Sequence, residues 1–192
     1  MSKGKLFVIS GASGVGKGTV LKAVMDARDD LIFSVSATTR SPRPNEVEGV
    51  HYYFVTKEHF EEMITENAFL EYDAHNRHYY GTPKDQAEEK LTRGHVIFDI
   101  EPNGAKGIRQ NRPDATLIFI MPPSMEELER RLRSRGDTPE DQIQIRMERA
   151  VWEMEQRSWY DHVVVNDQVE DCAKEILDII SAVADTKEIG GN

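Results

Sequence analysis

The stretch Phe7-Val8-Ile9-Ser10-Gly11-Ala12-Ser13-Gly14-Val15-Gly16-Lys17-Gly18-Thr19 runs from an apolar segment into a glycine-rich turn and a lysine. It predicts a buried strand, a tight loop and the start of a helix in fixed order, and few local patterns restrict a fold more. Glycines let backbone N–H groups converge with no Cβ in the way, and a helix opening near Lys17 adds the positive end of its dipole. A nest of this kind suits a polyphosphate, and Lys17 can reach the β and γ phosphates as a mobile point charge. The segment therefore predicts an α/β chain that binds a nucleoside triphosphate through Gly11, Ala12, Ser13, Gly14, Val15, Gly16, Lys17, Gly18 and Thr19. A glycine-rich turn that merely packs a helix on a sheet is the weaker reading, given strand, glycines, lysine and helix together.

One residue departs from the strict pattern Gly-x-x-x-x-Gly-Lys-[Ser/Thr]. Gly18 stands where a hydroxyl would touch Mg²⁺, and Thr19 follows one residue later. On a helix that step rotates the side chain by about 100°. The expectation is a metal held largely through water, with Thr19 a weak candidate ligand. Asp99 ends the apolar run Val96-Ile97-Phe98, where a strand of such a protein presents an acid towards Mg²⁺ or its waters.

A chain of 192 residues suits one well-cored domain with lid-like insertions. With 34 acidic against 24 basic residues, the net charge of -10 argues against nucleic-acid and anionic-membrane partners. Any anion site must be a local basic pocket. The single cysteine, Cys172, excludes an intramolecular disulfide and lies among acids that raise a thiol pKa. No N-terminal apolar stretch has signal-peptide or membrane-spanning length, so a reducing cytoplasm is the expected compartment.

Strand signals at Leu6 to Ile9, Ile32 to Val35, Val96 to Ile100, Leu117 to Met121 and Val163 to Val165 alternate with helical ones, the pattern of a parallel α/β sheet. Ser124-Met125-Glu126-Glu127 reads as a capping box opening a helix that closes at Gly136. Thr138-Pro139-Glu140-Asp141 opens another, expected to reach about Tyr160 with Ile143, Met147, Val151 and Met154 buried. Between Thr38 and Pro83 the rhythm shortens into segments rich in Tyr, His and charge, which reads as an inserted small sheet. Beside a phosphate loop, that is where a second substrate would be gripped. His75-Asn76-Arg77-His78 offers one histidine pair without a third ligand and reads as exposed loop.

Arg40-Ser41-Pro42-Arg43 presents two guanidinium forks around a stiffening proline, a pattern suited to one phosphate. The bland alternative is a solvated loop, disfavoured after a strand in a protein of this kind. Taken with Gly11 to Thr19, Ser36-Ala37-Thr38-Thr39-Arg40-Ser41-Pro42-Arg43, Gly49-Val50-His51-Tyr52-Tyr53-Phe54, Phe69-Leu70-Glu71-Tyr72, Tyr79-Tyr80-Gly81-Thr82-Pro83, Phe98-Asp99-Ile100-Glu101, Arg131-Leu132-Arg133-Ser134-Arg135-Gly136 and Val165-Asn166-Asp167, the chain resembles the guanylate kinases over essentially its whole length.

The resemblance implies a three-layer P-loop parallel sheet with an inserted mixed-sheet GMP-binding region and a helical lid. It implies transfer of the γ-phosphate of ATP to GMP, with dGMP a further acceptor, and Mg²⁺ as cofactor. A single domain is divided into core (1–37, 84–130, 150–187), GMP-binding insertion (38–83) and lid (131–149). Carried onto this chain, the resemblance puts the GMP phosphate on Arg40, Arg43, Tyr52 and Tyr80, and guanine on Ser36, Glu71 and Thr82, with Gly81, Asp99 and Glu101 in the same site. Lys17, Arg43, Arg131, Arg135 and Arg146 take the catalytic positions, and Arg135 and Asn166 join the ATP site. Glu101 stands where the family usually has Asp, and Asn103 where it has Gln.

Physical chemistry supports the central assignment. Guanine offers N1–H and N2–H donors side by side, and an ionised carboxylate accepts both, whereas adenine presents an acceptor at N1. Glu71 is alternatively a surface strand acid, and Tyr52 and Tyr80 alternatively packing residues. The partners implied are small nucleotides, with the chain a monomer or homo-oligomer. The rivals are a kinase of the same architecture for another monophosphate, and a scaffold gripping phosphorylated peptides on its Arg40 and Arg43 side. An intact Gly11 to Lys17 loop argues against the scaffold.

Overall fold

The computed structural model describes residues 4–75, 77–134 and 139–185. Arg135, Gly136 and Thr138, named above as a lid arginine, a helix stop and a cap, lie outside the described residues. Two compact units are present: the first holds residues up to Val8 and Asp30–Ala115, the second Ile9–Asp29 and the residues from Thr116 on.

The border falls inside strand β1 (Leu6–Gly11), all six residues of which are buried. In the first unit β2 (Leu31–Phe33) pairs parallel with β7 (His95–Asp99), which neighbours β1. In the second, β1 neighbours β8 (Thr116–Met121), which pairs parallel with β9 (His162–Val165). Each strand in the order β2-β7-β1-β8-β9 overlaps a predicted apolar run, although β2 ends at Phe33, two residues short of the expected Val35. Continuous runs rather than alternating ones are the mark of strands covered on both faces, and Val96 to Phe98 and Leu117 to Ile120 are accordingly buried.

A second sheet, all in the first unit, has the order β4-β3-β6-β5, from β3 (Ser36–Thr38), β4 (Tyr52–Phe54), β5 (Phe69–His75) and β6 (His78–Pro83). It has its own small core, where Phe60 stacks on Phe69 at 4.4 Å and on Tyr79 at 5.2 Å. Phe60 belongs to helix α2 (Lys57–Thr65), which sequence reading did not separate from the surrounding strands. Its signals were present: Thr56 caps it by accepting the His59 N–H, and Phe60, Met63 and Ile64 face inward. His75 and His78 are not loop residues but opposed ends of β5 and β6.

Helix α1 (Lys17–Asp26) buries Val20, Leu21 and Val24 and packs on α7 (Val169–Ala184). Helices α3 (Lys84–Leu91) and α4 (Pro102–Asn111) belong to the first unit, α5 (Met125–Ser134) and α6 (Glu140–Glu155) to the second. The predicted cap of α5 is present, the Ser124 hydroxyl accepting the Glu127 N–H at 3.1 Å. α6 stops at Glu155 and yields to a 3-10 turn, Gln156–Trp159. Its buried positions are Ile143, Ala150 and Glu153, while Val151 is 46% exposed. Two i+4 steps carry Val151 about 80° round the helix from Ile143, whereas Ala150 returns to within about 20° of it.

Candidate active site

The mixed sheet of the first unit builds its site by register. Ser36 lies opposite Tyr52, Tyr80 opposite both Thr38 and Asp73, and Thr82 opposite Glu71. With a period of two, Glu71 and Asp73 share one face of β5. That face looks towards α4, which begins at Pro102 after Glu101 as N-cap. Gly104 and Gly107, three apart on this helix, leave room for the acid: a Cβ on Gly104 would lie 2.6 Å from Glu71 Oε2, and one on Gly107 2.9 Å from Glu71 Cβ.

A cavity of about 200 Å³ results, lined by Ser36, Tyr52, Glu71, Asp73, Tyr80, Asp99, Ile100, Glu101 and Gly104. Glu71 is only 7% exposed, which removes the surface-acid alternative. Its Oε1 accepts from the Thr82 hydroxyl at 2.6 Å. Burial pushes its pKa up to about 7, with the Thr82 hydrogen bond acting the other way. Thr82 therefore reaches the cavity through Glu71, and Gly81 packs against Phe60, Phe69 and Tyr72 without lining it.

Arg40, Tyr52 and Tyr80 cluster on the same sheet. The Tyr52 and Tyr80 rings meet edge-on at 6.0 Å, and the Arg40 guanidinium lies 5.4 Å from the Tyr52 centroid. Burial raises the Tyr52 pKa, so its hydroxyl remains a donor. Arg40 is held bidentately by Glu46, at 2.9 and 2.8 Å, and Glu46 also accepts the Arg43 N–H at 2.7 Å. The two arginines hold the Glu46 pKa down to about 2. Sequence reading missed Glu46, although a carboxylate three residues beyond Arg43 was its signal. The side chain of Arg43 is exposed.

The second unit holds a separate cleft of about 560 Å³, lined by Gly14, Val15, Gly16, Thr19, Glu127, Arg130, Arg131, Ser134 and residues 166–169. Gly14 and Gly16 have φ of 89 and 92°, and Gly16 is the N-cap of α1, so Lys17 opens the helix as expected. A Cβ on Gly14 would strike Leu132 Cδ2 at 2.5 Å. Gly11 is equally confined, 2.7 Å from the Ile120 carbonyl by the same measure. Thr19 and Gly18 are exposed.

Arg131 is anchored rather than dangling. Its Nε donates to Glu127 at 2.7 Å, and its terminal nitrogens donate to the carbonyls of Asn166 at 2.8 Å, Asp167 at 3.2 Å and Val15 at 3.3 Å. Asn166 Nδ2 also donates to Val15 O at 2.8 Å, leaving its buried Oδ1 without a hydrogen-bond partner. Arg130 and Arg131 hold the Glu127 pKa down to about 2. Arg146 lies on α6, half-buried and outside the lining of this cleft.

Comparison with known proteins agrees with this geometry. The family model described as guanylate kinase matches residues 3–183. A guanylate kinase of Thermus thermophilus is 48% identical over 181 residues, 94% of this chain and 82% of that protein. One from Rickettsia bellii is 45% identical over 93% of this chain and 94% of its own. The crystal structure of guanylate kinase from Anaplasma phagocytophilum superposes with a TM-score of 0.75 at 30% identity, covering 97% of this chain and 89% of that one. The chain belongs to the guanylate kinase family and is a nucleoside monophosphate kinase that transfers a phosphoryl group from ATP to GMP.

Proposed function

We propose that the two substrates are divided between the units, GMP in the cavity of the first and ATP in the cleft of the second. The observation that carries this is Glu71, a buried carboxylate facing a small cavity and oriented by Thr82. Guanine presents two adjacent donors to it, and ionised Glu71 accepts both. Ser36 and Glu101 supply further polar contacts to the base, and Arg40, Arg43, Tyr52 and Tyr80 take the phosphate. None of these contacts uses the sugar 2′-hydroxyl, so dGMP is accepted as well.

In the cleft of the second unit, the backbone N–H groups of the Gly11 to Thr19 loop and Lys17 take the β and γ phosphates, and Asn166 Oδ1 accepts from the adenine side. No general base is needed. The GMP phosphate, with a second pKa of about 6, is largely a dianion at neutral pH and is itself the nucleophile. Arg131, Arg135 and Arg146 stabilise the charge that spreads over the transferring group. Closure of the 38–83 insertion and of the 131–149 lid brings arginines in and excludes water.

Mg²⁺ fits the donor set. The Thr19 hydroxyl and the Asp99 carboxylate are hard oxygen donors, and among the described residues no group of three or more His, Cys, Asp or Glu could hold a metal alone. Asp99 would hold the ion through water, with Thr19 a weak second donor, and the ion would supply neutralisation of the triphosphate charge. A cytoplasmic location belongs to the same reading; among the described residues, no helix is long and apolar enough to cross a membrane. The test is coupled ADP release across GMP, dGMP, AMP, UMP and CMP. GMP and dGMP should dominate, and AMP turning over as fast as GMP would overturn the base assignment.

A further inference from the structure

Glu153 has no part in the assignments above, yet it is 2% exposed, on the last turn of α6. Its Oε2 accepts the backbone N–H of Ser13 at 2.6 Å, and its Oε1 accepts from Arg149 Nε at 2.9 Å. Ser13 lies inside the phosphate loop, just before the left-handed Gly14 and within the turn in which the Val15 N–H bonds to the Ala12 carbonyl at 3.0 Å. A helix side chain from 140 residues away thus holds the loop by its own backbone. Charge-assisted N–H to carboxylate bonds are the strong ones, and a buried carboxylate persists only with such partners.

Two consequences follow from position. Arg146 precedes Glu153 by seven residues on α6, two turns of helix, so both project from the same side. A negative charge behind a polyphosphate site repels the ligand unless a cation compensates it. Arg149 is that cation, on the same helix and four residues before Glu153.

We propose that Glu153 is a positioning residue for the ATP half of the reaction: it seats α6 on the phosphate loop through Ser13, so that the loop and Arg146 are set together. Arg149 cancels the charge this places behind the triphosphate. The proposal rests on the reading of the second unit's cleft as the ATP site. The experiment measures affinity for a non-hydrolysable ATP analogue, KM for each substrate and kcat, for the unaltered chain and for Glu153→Ala and Glu153→Gln, well below each melting temperature.

Failure of the unaltered chain to bind the analogue would overturn the cleft assignment itself, whatever the variants do. With binding established, Glu153→Ala should weaken the analogue and raise KM for ATP by about ten- to a hundred-fold, the range for a lost hydrogen bond to a charged group. It should also lower kcat, with KM for GMP within about twofold. Glu153→Gln, whose amide oxygen still accepts the Ser13 N–H, should recover most of the loss. If Ala does not fold, Glu153→Asp, which withdraws the carboxylate by one methylene, takes its place with the same expectation. Variants that lose melting temperature while ATP affinity, KM and kcat stay within about twofold would make Glu153 merely structural. Gln as impaired as Ala would also overturn the proposal.

Discussion

The two sites hold carboxylates in opposite ways. In the first unit Glu71 is held by a hydroxyl, and burial pushes its pKa up to about 7. In the second, Glu153 is held by an arginine and a backbone N–H, and Glu127 by two arginines that hold its pKa down to about 2. On the proposed division of substrates, the difference follows from the ligands. A base edge of neutral donors is best read by a strong, dry acceptor, and a strong, dry acceptor is unstable until the base arrives. A polyphosphate is met by backbone N–H groups and cations that the fold can pair with its own acids beforehand. Mutations in the two sites should therefore damage activity alike but move stability in opposite directions.

The largest effect is expected at the phosphate cradle. Lys17→Ala strips the charge that meets the β and γ phosphates and should lower kcat by about 10² to 10³ or more. GMP affinity, measured by titration, should be unchanged. A parallel loss of GMP binding would mean that the sites are not independent, and the comparison would have to be abandoned.

Glu71→Gln comes next and tests both halves of the contrast. One acceptor remains where two donors arrive, so kcat/KM for GMP should fall about ten- to a hundred-fold, and the GMP over AMP preference should shrink with it. Stability should rise. The folded pKa of about 7 exceeds the usual carboxylate value of 4.5, so the native state holds this proton more tightly than the unfolded chain. The cost of ionising Glu71 is absent below pH about 4.5, grows up to pH about 7 and is constant above, where it is on the order of 3 kcal/mol. Melting of Glu71→Gln should exceed that of the unaltered chain at pH 8 and match it at pH 4. Equal melting at both would remove the stability cost from the comparison.

The same proton shapes binding. Below pH 7 the carboxyl is neutral and offers an O–H where guanine also offers donors, so log kcat/KM for GMP should fall by about one per pH unit. The phosphate of GMP titrates nearby, and Glu71→Gln serves as the control, keeping the phosphate component and losing the rest. Gly104→Ala should act more mildly, raising KM for GMP about tenfold by pushing Glu71 aside, because the new Cβ would lie 2.6 Å from its Oε2. Melting should drop little, since Ala in a helix interior recovers about 0.5–1 kcal/mol over Gly. An unaltered KM would show that Glu71 has another place to go.

What could be read in advance divides along the same line. The phosphate loop was legible because its function needs backbone conformation, and glycine spacing encodes that directly. The central strands β1, β7 and β8 of the large sheet were legible because burial on both faces writes itself as unbroken apolar runs. The first unit's site was legible only as a set of types, Arg40, Glu71 and Tyr80 among them, because register across four short strands brings them together and no local pattern states register. Glu153 and the Gly104 and Gly107 pair were missed because each acts on a residue near in space and far in sequence, and Glu46 because one acid in a charged loop is unremarkable. Two glycines three apart on a helix were the readable hint of a close approach. The buried face of α6 failed at Val151, where a second i+4 step leaves the face that Ala150 keeps.

The smallest effects are expected at the end of the phosphate loop, and they sharpen the claim that this site works through backbone and charge rather than through individual side chains. A Cβ built on Gly18 meets nothing within 4 Å, and the residue lies exposed in the first turn of α1 with no positive φ. Gly18→Ala should then stabilise by about 0.5–1 kcal/mol through helix propensity and leave KM for ATP unchanged within about twofold. Thr19 is exposed beside it, with its backbone N–H on the Gly16 carbonyl at 3.0 Å. If the metal rides on the triphosphate and is approached through water, Thr19→Ala should shift the Mg²⁺ concentration for half-maximal rate by no more than about twofold. An increase of orders of magnitude would make Thr19 a direct ligand. The second site would then depend on a particular side chain as the first depends on Glu71, and the contrast between them would fail at the metal.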